Sequence, residues 1–320
     1  MMNRPHTPEE VVTGAGRGDP RSRPLVAVVV VNWNGVNDTI ELLESLLAQT
    51  YECVRLFVVD NGSDGEDADT LVERFGDSIT VVRMERNLGC GGGYNAGVET
   101  AVRSCSPDYF VIMNNDMAAD PRMVEELVRV AEVNSGTAVV GAKVFYYDHD
   151  GRDDVLWSAG GLFHPFGWRV HSRRGDGIAD TGQYDSSTSV EWVSGATMLF
   201  SADTFSVAGP FNDRHVLGYE DMEFCRRATS AGLEVVFAPR ARSWHKVGVS
   251  ARKAHITYTN PAAYYEFIRG GFPRHVYVWQ RCLFPLLLLK WGLLYLIRSR
   301  DPKALTGFVR SFGRCPDKTT

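Results

Sequence analysis

The chain has 320 residues, 44% of them hydrophobic and 23% charged, so it can bury a sizeable core and is not a wholly disordered protein. Its six cysteines form no CxxC pair and no His-rich ligand spacing, which argues against a zinc module or a disulfide framework and favours a reducing cytosol. Residues 267–320 contain ten Lys and Arg against two Asp, whereas the rest of the chain is acidic. This basic, apolar segment predicts an anionic membrane surface as partner in preference to nucleic acid.

The first half of the chain has the pattern of an α/β protein. Residues 1–24 are polar and lack the apolar core of a signal peptide, so they are predicted to be a disordered tail. Short apolar runs then alternate with helical patterns up to residue 145, which predicts βαβ units and a central, mainly parallel sheet flanked by helices. The predicted strands are Leu25–Val31, Val54–Asp60, Ile79–Met84, Tyr109–Met113 and Ala138–Lys143.

Two helix starts and one loop are also predicted. Asp38 is the expected N-cap of the first helix, with Glu41 completing a capping box. Asp120 is the expected cap of a later helix that has Pro121 at its first position. Residues 173–189 are polar and Gly-rich, which is typical of a mobile loop.

Polar loops directly follow four of the predicted strands. Open α/β sheets bind ligands outside the carboxyl ends of their strands, so these loops are predicted to form one site. Asp60 ends its strand and is suited to accept hydrogen bonds from a nucleotide base or ribose; the alternative is an Asx-turn residue. The residues of these loops predicted to bind a nucleotide ligand are Asn32, Asn34, Asp60, Asn87, Gly89, Asn95 and Asn115.

The segment from Arg86 to Gly97 is rich in glycine and is expected just before a helix. Backbone without side chains lets N–H groups approach a phosphate at a helix N-terminus. The segment is neither a P-loop, since no Gly-Lys-Ser/Thr follows, nor a Rossmann fingerprint, since no ribose-binding carboxylate follows at the usual distance. Phosphate binding and close packing of the helix on the sheet are therefore both open readings.

Asp116 and His245 are the candidate metal ligands. Asp116 follows a predicted strand within Asn114-Asn115-Asp116, and one carboxylate with diphosphate oxygens and waters suffices for Mg²⁺ or Mn²⁺. His245 follows a predicted strand over 235–238 and offers the nitrogen that Mn²⁺ accepts. The alternatives are a capped turn at Asp116 and a structural or solvated histidine.

An acidic cluster lies at the start of a later predicted helix, in Gly218-Tyr219-Glu220-Asp221-Met222-Glu223. Three carboxylates exceed what a helix dipole needs, so Asp221 or Glu220 is predicted to be a general base that deprotonates an acceptor hydroxyl. The alternative is a cluster that only stabilises the helix N-terminus.

Taken in order, these blocks resemble glycosyltransferase family 2, especially its bacterial rhamnosyltransferase-like members of cell-wall and surface-polysaccharide synthesis. The resemblance runs from Val26 to about Ser250. The motifs that carry it are Asn-Trp-Asn-Gly, Val-Asp-Asn-Gly-Ser, Arg-Asn-x-Gly, Asn-Asn-Asp, Trp-Ser-Ala-Gly-Gly, Ser-Gly-Ala, Glu-Asp and the late His.

The resemblance implies a GT-A fold and a role for several residues. Asp60 is similar to the residue that contacts the nucleotide base, Asp116 and His245 to the metal ligands, and Asp221 to the base. Asn114 departs from the family, because many relatives carry the first Asp of a DxD motif there. The residues that resemble the wall of the donor-sugar and acceptor pocket are Trp192, Ser194 and Gly195.

The resemblance implies a metal-dependent transfer of a sugar, in a single displacement that inverts the anomeric configuration. The expected donor is dTDP-rhamnose or a UDP-sugar, the acceptor is a glycan or a lipid-linked glycan, and the cofactor is Mg²⁺ or Mn²⁺. A non-catalytic nucleotide-sugar-binding module is the alternative class. A sugar nucleotidyltransferase is disfavoured because the loop after the first strand lacks the Gly-Gly-x-Gly-Thr-Arg-Leu sequence of that family.

Three regions follow from these assignments. Residues 25–255 are expected to form the GT-A domain, with a nucleotide-binding half over 25–145 and an acceptor and catalytic half over 146–255. Residues 256–320 are expected to be a helical appendage on the inner face of the cell membrane, too short in its apolar stretch to cross a bilayer. The alternative for this appendage is a helix that closes the catalytic domain or a dimer interface.

Overall fold

The structure, a computed structural model, describes residues 23–133, 137–167, 170–213, 218–247, 261–283 and 286. Its strands in chain order are β1 Val26–Asn32, β2 Val54–Asp60, β3 Ile79–Arg83, β4 Tyr109–Asn114, β5 Met117–Ala119, β6 Thr137–Tyr146, β7 Leu156–Ser158, β8 Gly161–Phe163, β9 His171–Arg173, β10 Thr188–Ser189, β11 Thr197–Ser201 and β12 Glu234–His245. Its helices are α1 Val36–Leu47, α2 Asp67–Phe75, α3 Gly89–Cys105, α4 Met123–Val133, α5 Ala202–Ala208, α6 Glu220–Ser230 and α7 Pro261–Gly271, with a 3₁₀ turn over Gly76–Ser78 and a further helix over residues 274–283.

The main sheet is mostly parallel, as predicted. Its strand order is β10-β12-β6-β11-β4-β1-β2-β3. Strands β3, β2, β1 and β4 run parallel, β12 runs parallel to β6, and β11 is antiparallel to both β4 and β6. The register pairs Asn32 with Asp60, and Val31 with Asn114, so three polar strand ends lie at one edge.

Helices cover both faces of this sheet. One apolar cluster packs α1, α2 and α4 on one face, around Leu43, Leu71 and Leu127. The other packs α3, α5, α6 and α7 on the opposite face, around Val98, Phe224 and Phe267. Strand β1 lies between the two clusters and is almost wholly apolar, as expected of a strand buried on both faces.

The glycines that follow β3 lie inside α3. The sequence, in contrast, predicts that they precede the helix. A Cβ at Gly97 would come within 2.2 Å of Val29 Cγ1, and one at Gly93 within 2.8 Å of Val31 Cγ1. A Cβ at Gly91 would lie 2.7 Å from the carbonyl oxygen of Asn212. Close packing of α3 on β1 and on the loop around 212 therefore explains these three glycines.

The helix starts differ from the predicted ones. The residue at the N-cap of α1 is Gly35, which forms no side-chain cap, so the predicted capping box of Asp38 and Glu41 is wrong. Both carboxylates bind Lys246 instead, at 2.9 and 2.7 Å from its Nζ. Helix α4 begins at Met123, two residues after the predicted Pro121.

The start of the C-terminal region packs on the catalytic domain. The side chain of Gln280 is fully buried, and its Nε2 donates to the carbonyl oxygens of Pro165 and Gly167 at 3.0 Å. Tyr264 donates to Gln280 Oε1 at 2.8 Å, and Phe267 stacks on Tyr219 with ring centroids 5.3 Å apart. Residues 261–283 thus pack on the rest of the described domain, and the membrane appendage and its alternatives stay predictions.

Most of the apolar stretch from Leu283 to Ile297 lies outside the described residues, as do the predicted N-terminal tail up to residue 22 and the end of the chain. Within the residues that the structure describes, no helix is both long enough and apolar enough to cross a bilayer.

Candidate active site

The loops after β1 and β2 are held together by Asn32. Its Nδ2 donates to Asp60 Oδ1 at 3.1 Å and to Asp67 Oδ2 at 2.9 Å, and its Oδ1 accepts from the hydroxyl of Thr39 at 2.7 Å. Asn115 joins the same network, because its Nδ2 donates to Thr39 Oγ1 at 3.1 Å. The residues of this network other than Asp67 are buried. The network therefore fixes the side chain of Asp60 at the carboxyl edge of the sheet.

The other predicted donor-binding residues lie along the same edge and contact neighbouring loops. Asn34 Nδ2 donates to Asp64 Oδ2 at 2.9 Å. Asn87 Oδ1 accepts from the backbone N–H of Gly89 at 2.8 Å, at the first residue of α3. Asn95 uses both ends of its amide on the backbone of Phe211, at 2.8 and 2.9 Å, so its side chain holds the loop before α6 against α3.

Asp116 and His245 are in direct contact. Asp116 lies in the turn between β4 and β5, and His245 ends β12 opposite Met117 of β5. His245 Nε2 is 3.1 Å from Asp116 Oδ1, and both residues are buried. The N–H of Lys246 donates to the carbonyl oxygen of Asp116 at 2.9 Å, which fixes the two chain segments side by side.

This pair suits a divalent cation. The carboxylate is a hard oxygen ligand and the imidazole a borderline one, which together fit Mn²⁺ or Mg²⁺. His245 Nδ1 is buried and has no hydrogen-bond partner among the described residues. Within those residues no group of three or more His, Cys, Asp and Glu has metal-binding spacing.

Asp221 lies at the start of α6, and its carboxylate accepts hydrogen bonds from two backbone N–H groups. Its Oδ2 accepts from Gly195 at 2.8 Å, and its Oδ1 accepts from Met222 at 2.7 Å. Burial raises the pKa of Asp221, although these two N–H groups and the charge of Arg173 oppose the rise. Tyr219, with φ of 75°, turns the chain sharply into the helix just before Glu220 and Asp221.

The charges of Asp116, Glu220 and Asp221 act on Cys90, in the first turn of α3. Burial raises the pKa of Cys90, and the charges of these three residues raise it further. The same three carboxylates also raise the pKa of Tyr94, after burial and the charge of Cys90. Asp116, Glu220 and Asp221 therefore lie within electrostatic reach of one part of α3, and the region that they border is called the crevice.

The predicted pocket-wall residues lie beside this crevice. Trp192 is buried and lies flat on Gly161, where a Cβ would be 2.0 Å from its ring. Ser194 Oγ accepts from the N–H of Ala196 at 3.2 Å. Gly195 contacts Asp221 through its N–H, as described above, so the segment from 192 to 195 borders the candidate base.

Sequence reasoning gave no role to four residues at this site. Tyr94 donates to Asn114 Oδ1 at 2.7 Å, and Lys246 bridges to α1. Trp157 contacts the imidazole of His245 edge-on, with ring centroids 4.4 Å apart. Arg173 lies over the face of Trp157 at 4.1 Å. Only Trp157 carried a signal, as part of the Trp-Ser-Ala-Gly-Gly motif.

The fold defines the class of protein. A layered α/β domain with its polar site at the carboxyl edge of a mainly parallel sheet is the GT-A architecture. The crystal structure of GalNAc-T7 with UDP, GalNAc and Mn²⁺ aligns with a TM-score of 0.56 at 15% identity, covering 69% of this chain and 44% of that one. S. aureus TarS aligns at 0.52 and 14% identity, covering 77% and 38%. At these identities the likeness shows the fold.

The family follows from the sequence match. The model described as glycosyltransferase like family 2 matches residues 22–264, so the chain belongs to this family. The predicted family and GT-A fold are confirmed, while the rhamnosyltransferase-like branch stays a prediction.

Curated relatives carry the same class of name. A glucosyl-dolichyl phosphate glucuronosyltransferase of Haloferax volcanii is 27% identical over 216 residues, which are 65% of this chain and 64% of that protein. An uncharacterized glycosyltransferase of Rickettsia prowazekii is 32% identical over 33% of this chain and 32% of its own length. Another, of Rickettsia felis, is 31% identical over 37% of this chain and only 19% of its own length. The match to the Rickettsia proteins thus spans a third or less of their length.

Proposed function

We propose that the chain transfers a sugar, with inversion, from a nucleotide diphosphate donor to an acceptor hydroxyl, with the help of a divalent cation. The observation that carries this proposal is that Tyr94 links the two groups: its hydroxyl donates to Asn114 at 2.7 Å, two residues before Asp116, and lies 3.4 Å from the carbonyl oxygen of Gly195, whose N–H binds Asp221. A base and a cation site on one crevice are the two parts that a single displacement needs.

Asp116 and His245 would hold the cation, Mg²⁺ or Mn²⁺. When bound, the cation would stabilise the negative charge that develops on the departing diphosphate. Asp60, fixed by Asn32, is suited to accept hydrogen bonds from the nucleotide base or ribose.

Asp221 would accept the proton of the acceptor hydroxyl. Its raised pKa makes the ionised carboxylate a stronger base than an exposed Asp. The oxygen of that hydroxyl attacks the anomeric carbon from the side opposite the diphosphate, so the configuration inverts. Glu220, buried beside it, is the second candidate for this role.

The donor is proposed to be dTDP-rhamnose or a UDP-sugar, and the acceptor a glycan or a lipid-linked glycan of the cell wall or surface. UDP occupies the GalNAc-T7 structure that shares the fold. The name of the Haloferax volcanii relative describes an acceptor linked to dolichyl phosphate, which supports a lipid-linked acceptor here.

We further assign the C-terminal region to the inner face of the cell membrane, as a peripheral contact. Phe166, Val278, Trp279 and Leu286 are exposed apolar residues, with Phe166 and Trp279 in ring contact at 6.3 Å. An amphipathic Trp beside basic residues suits the headgroup level, and the positive charge of residues 267–320 would attract anionic lipid.

A nucleotide-sugar screen tests the enzymatic proposal. We expect one dTDP- or UDP-sugar to raise the melting temperature in the presence of Mn²⁺ or Mg²⁺, since a ligand at a hundred times its Kd adds about 2.7 kcal/mol. The same sugar should then be hydrolysed slowly with metal and transferred when an acceptor is added. Binding without hydrolysis or transfer to any glycan or lipid-linked acceptor would favour the binding-module alternative.

Liposome co-sedimentation tests the membrane contact. Deleting residues 287–320 removes most of the basic charge and leaves the buried Gln280 in place. Full-length protein should sediment with anionic liposomes and Trp279→Ser should reduce that binding. No sedimentation of the full-length protein would reject the membrane contact.

A further inference from the structure

Within the described residues, Arg173 at the end of β9 uses few of its hydrogen-bond donors. A guanidinium carries five N–H donors. Nη1 makes only long contacts, 3.4 Å to the carbonyl oxygen of Trp157 and 3.4 Å to Asp176 Oδ1. Nε is buried and has no partner among the described residues. The Asp176 oxygen also accepts from the hydroxyl of Tyr146, at 2.8 Å, and Asp176 is half exposed, so this ion pair is weak.

Trp157 connects Arg173 to the candidate metal site. The guanidinium carbon is 4.1 Å from the centroid of the Trp157 ring, and the His245 ring centroid is 4.4 Å from the same centroid. Arg173 and His245 therefore both contact the ring of Trp157. Its charge also reaches Asp221, where it counteracts the rise in pKa that burial causes.

The position of Arg173 is fixed by rigid elements. Its backbone pairs with Gly161 across the β8–β9 hairpin. The segment that follows, predicted from sequence to be a mobile loop, is anchored to β6 by the buried Lys143, whose Nζ lies 2.8 Å from Asp180 and 2.7 Å from Asp185. A guanidinium stacked on an indole and held by such a frame is pre-organised for a ligand.

The crevice is acidic, so a negatively charged substrate needs a positively charged side chain to bind. Asp116, Glu220 and Asp221 are all acidic, and a diphosphate adds further negative charge. Lys246, the nearby lysine, already binds Asp38 and Glu41 at 2.9 and 2.7 Å. Arg173 has no carboxylate at such a distance in the part of the chain that is described.

We propose that Arg173 binds a phosphoryl group of a substrate, through the planar fork of N–H donors that matches phosphate oxygens. The inference rests on the proposed function and adds a binding residue to its site. The phosphoryl group belongs either to the diphosphate of the donor or to a phosphate of a lipid-linked acceptor, two sources with the same chemistry. The competing explanation is that Arg173 only packs on Trp157.

Binding measurements on Arg173→Gln separate these explanations. The probes are UDP, dTDP, uridine, thymidine and inorganic pyrophosphate with Mg²⁺, and farnesyl diphosphate in the presence of saturating nucleotide, all by calorimetry. The matched control is Arg174→Gln, which removes the same charge one residue on, where the guanidinium binds Thr188 at 3.0 Å. Arg173→Lys keeps the charge without the fork and serves as the second variant if Arg173→Gln does not fold.

We expect Arg173→Gln to weaken binding of the phosphorylated probes from one source by about tenfold or more, because a hydrogen bond to a charged group is lost. Nucleoside binding and the Arg174→Gln control should match wild type. A loss confined to UDP or dTDP assigns Arg173 to the donor, and a loss confined to farnesyl diphosphate assigns it to the acceptor.

Wild-type affinity of Arg173→Gln for every phosphorylated probe would overturn the inference. If the wild-type protein binds neither UDP nor dTDP, the proposed function fails by itself. Pyrophosphate, and farnesyl diphosphate measured without nucleotide, then still decide the role of Arg173: weaker binding by the variant supports it, and equal binding or no binding by wild type rejects it.

Discussion

The hydroxyl of Tyr94 donates a hydrogen bond to Oδ1 of Asn114 at 2.7 Å and also lies 3.4 Å from the carbonyl oxygen of Gly195. The N–H of the same Gly195 binds Asp221 at 2.8 Å. One tyrosine therefore links the first position of the proposed metal motif to the segment that holds the candidate base. Asn114 uses its oxygen as an acceptor here, a role that an aspartate at this position can also fill.

Asn114→Asp should strengthen metal binding. The new carboxylate still accepts from Tyr94, and it adds a negative charge two residues from Asp116, close to the proposed cation. We expect the Mn²⁺ concentration for half-maximal activity to fall, measured by titration of the metal-stripped enzyme. Tyr94→Phe combined with Asn114→Asp should keep this gain, because the added charge remains. An unchanged or higher metal requirement in Asn114→Asp would show that residue 114 lies outside the reach of the cation.

Removing either proposed metal ligand should make nucleotide diphosphate binding independent of metal. Asp116→Ala and His245→Ala each delete one side of the 3.1 Å pair, so the diphosphate loses the positive charge that would hold it. Calorimetry with UDP and dTDP, with Mn²⁺ and with EDTA, measures the effect, and His164→Ala at the surface is the control. The metal assignment fails if both variants keep metal-dependent binding of wild-type strength.

As the pH is lowered, the activity should begin to fall at a higher pH than it would if the base were an exposed aspartate. The base must be ionised, so kcat/KM rises as the pH increases through the pKa of Asp221, which burial raises from the ordinary value of 3.8. Arg173→Gln removes a charge that lowers this pKa, and should move the acid limb to still higher pH. A limb that stays at the same pH in Arg173→Gln would mean that another group controls it.

Gln280 should be important for stability. Replacing it by Leu leaves the carbonyl oxygens of Pro165 and Gly167 without their buried donor, a loss of about 1–3 kcal/mol per unsatisfied group. Urea unfolding measures the change, with Arg281→Gln as the control, because Arg281 is the next residue and is exposed. Equal stability of Gln280→Leu and wild type would mean that residues 261–283 contribute little to the folded domain.

The sequence predicted β1 to β4, β6 and part of β12, and the edge where the site is proposed, because these buried strands contain continuous apolar runs. It did not predict β5 or β7 to β11. Asp60, Asp116 and Asp221 could be proposed because each polar group follows a strand or starts a helix. The predicted cap at Asp38 was wrong, because the local sequence around a residue in the first helical turn is like that around a cap residue. The contact with Lys246 that it makes joins residues 208 positions apart.

Tyr94 and Arg173 could not be predicted from sequence patterns. Tyr94 lies on the glycine-rich turn of α3, and its partner Gly195 is 101 residues away. Arg173 lies in a polar segment without periodicity, and its role depends on the Trp157 face and on the anchoring of that segment by Lys143. Such contacts depend on tertiary packing that neither residue type nor spacing encodes.

The role of Asp221 is the central claim, and Asp221→Asn tests it most directly. The measurement is the rate of sugar transfer beside the affinity for the nucleotide diphosphate, with Glu223→Gln on the same helix as the control. The carboxylate of Glu223 accepts a hydrogen bond from the side-chain amide of Asn212 at 3.0 Å. We predict that Asp221→Asn loses about a hundredfold or more in turnover with unchanged nucleotide affinity, and that the control stays active. An Asp221→Asn enzyme with more than about a tenth of wild-type turnover would contradict the account, since losing a general base costs far more.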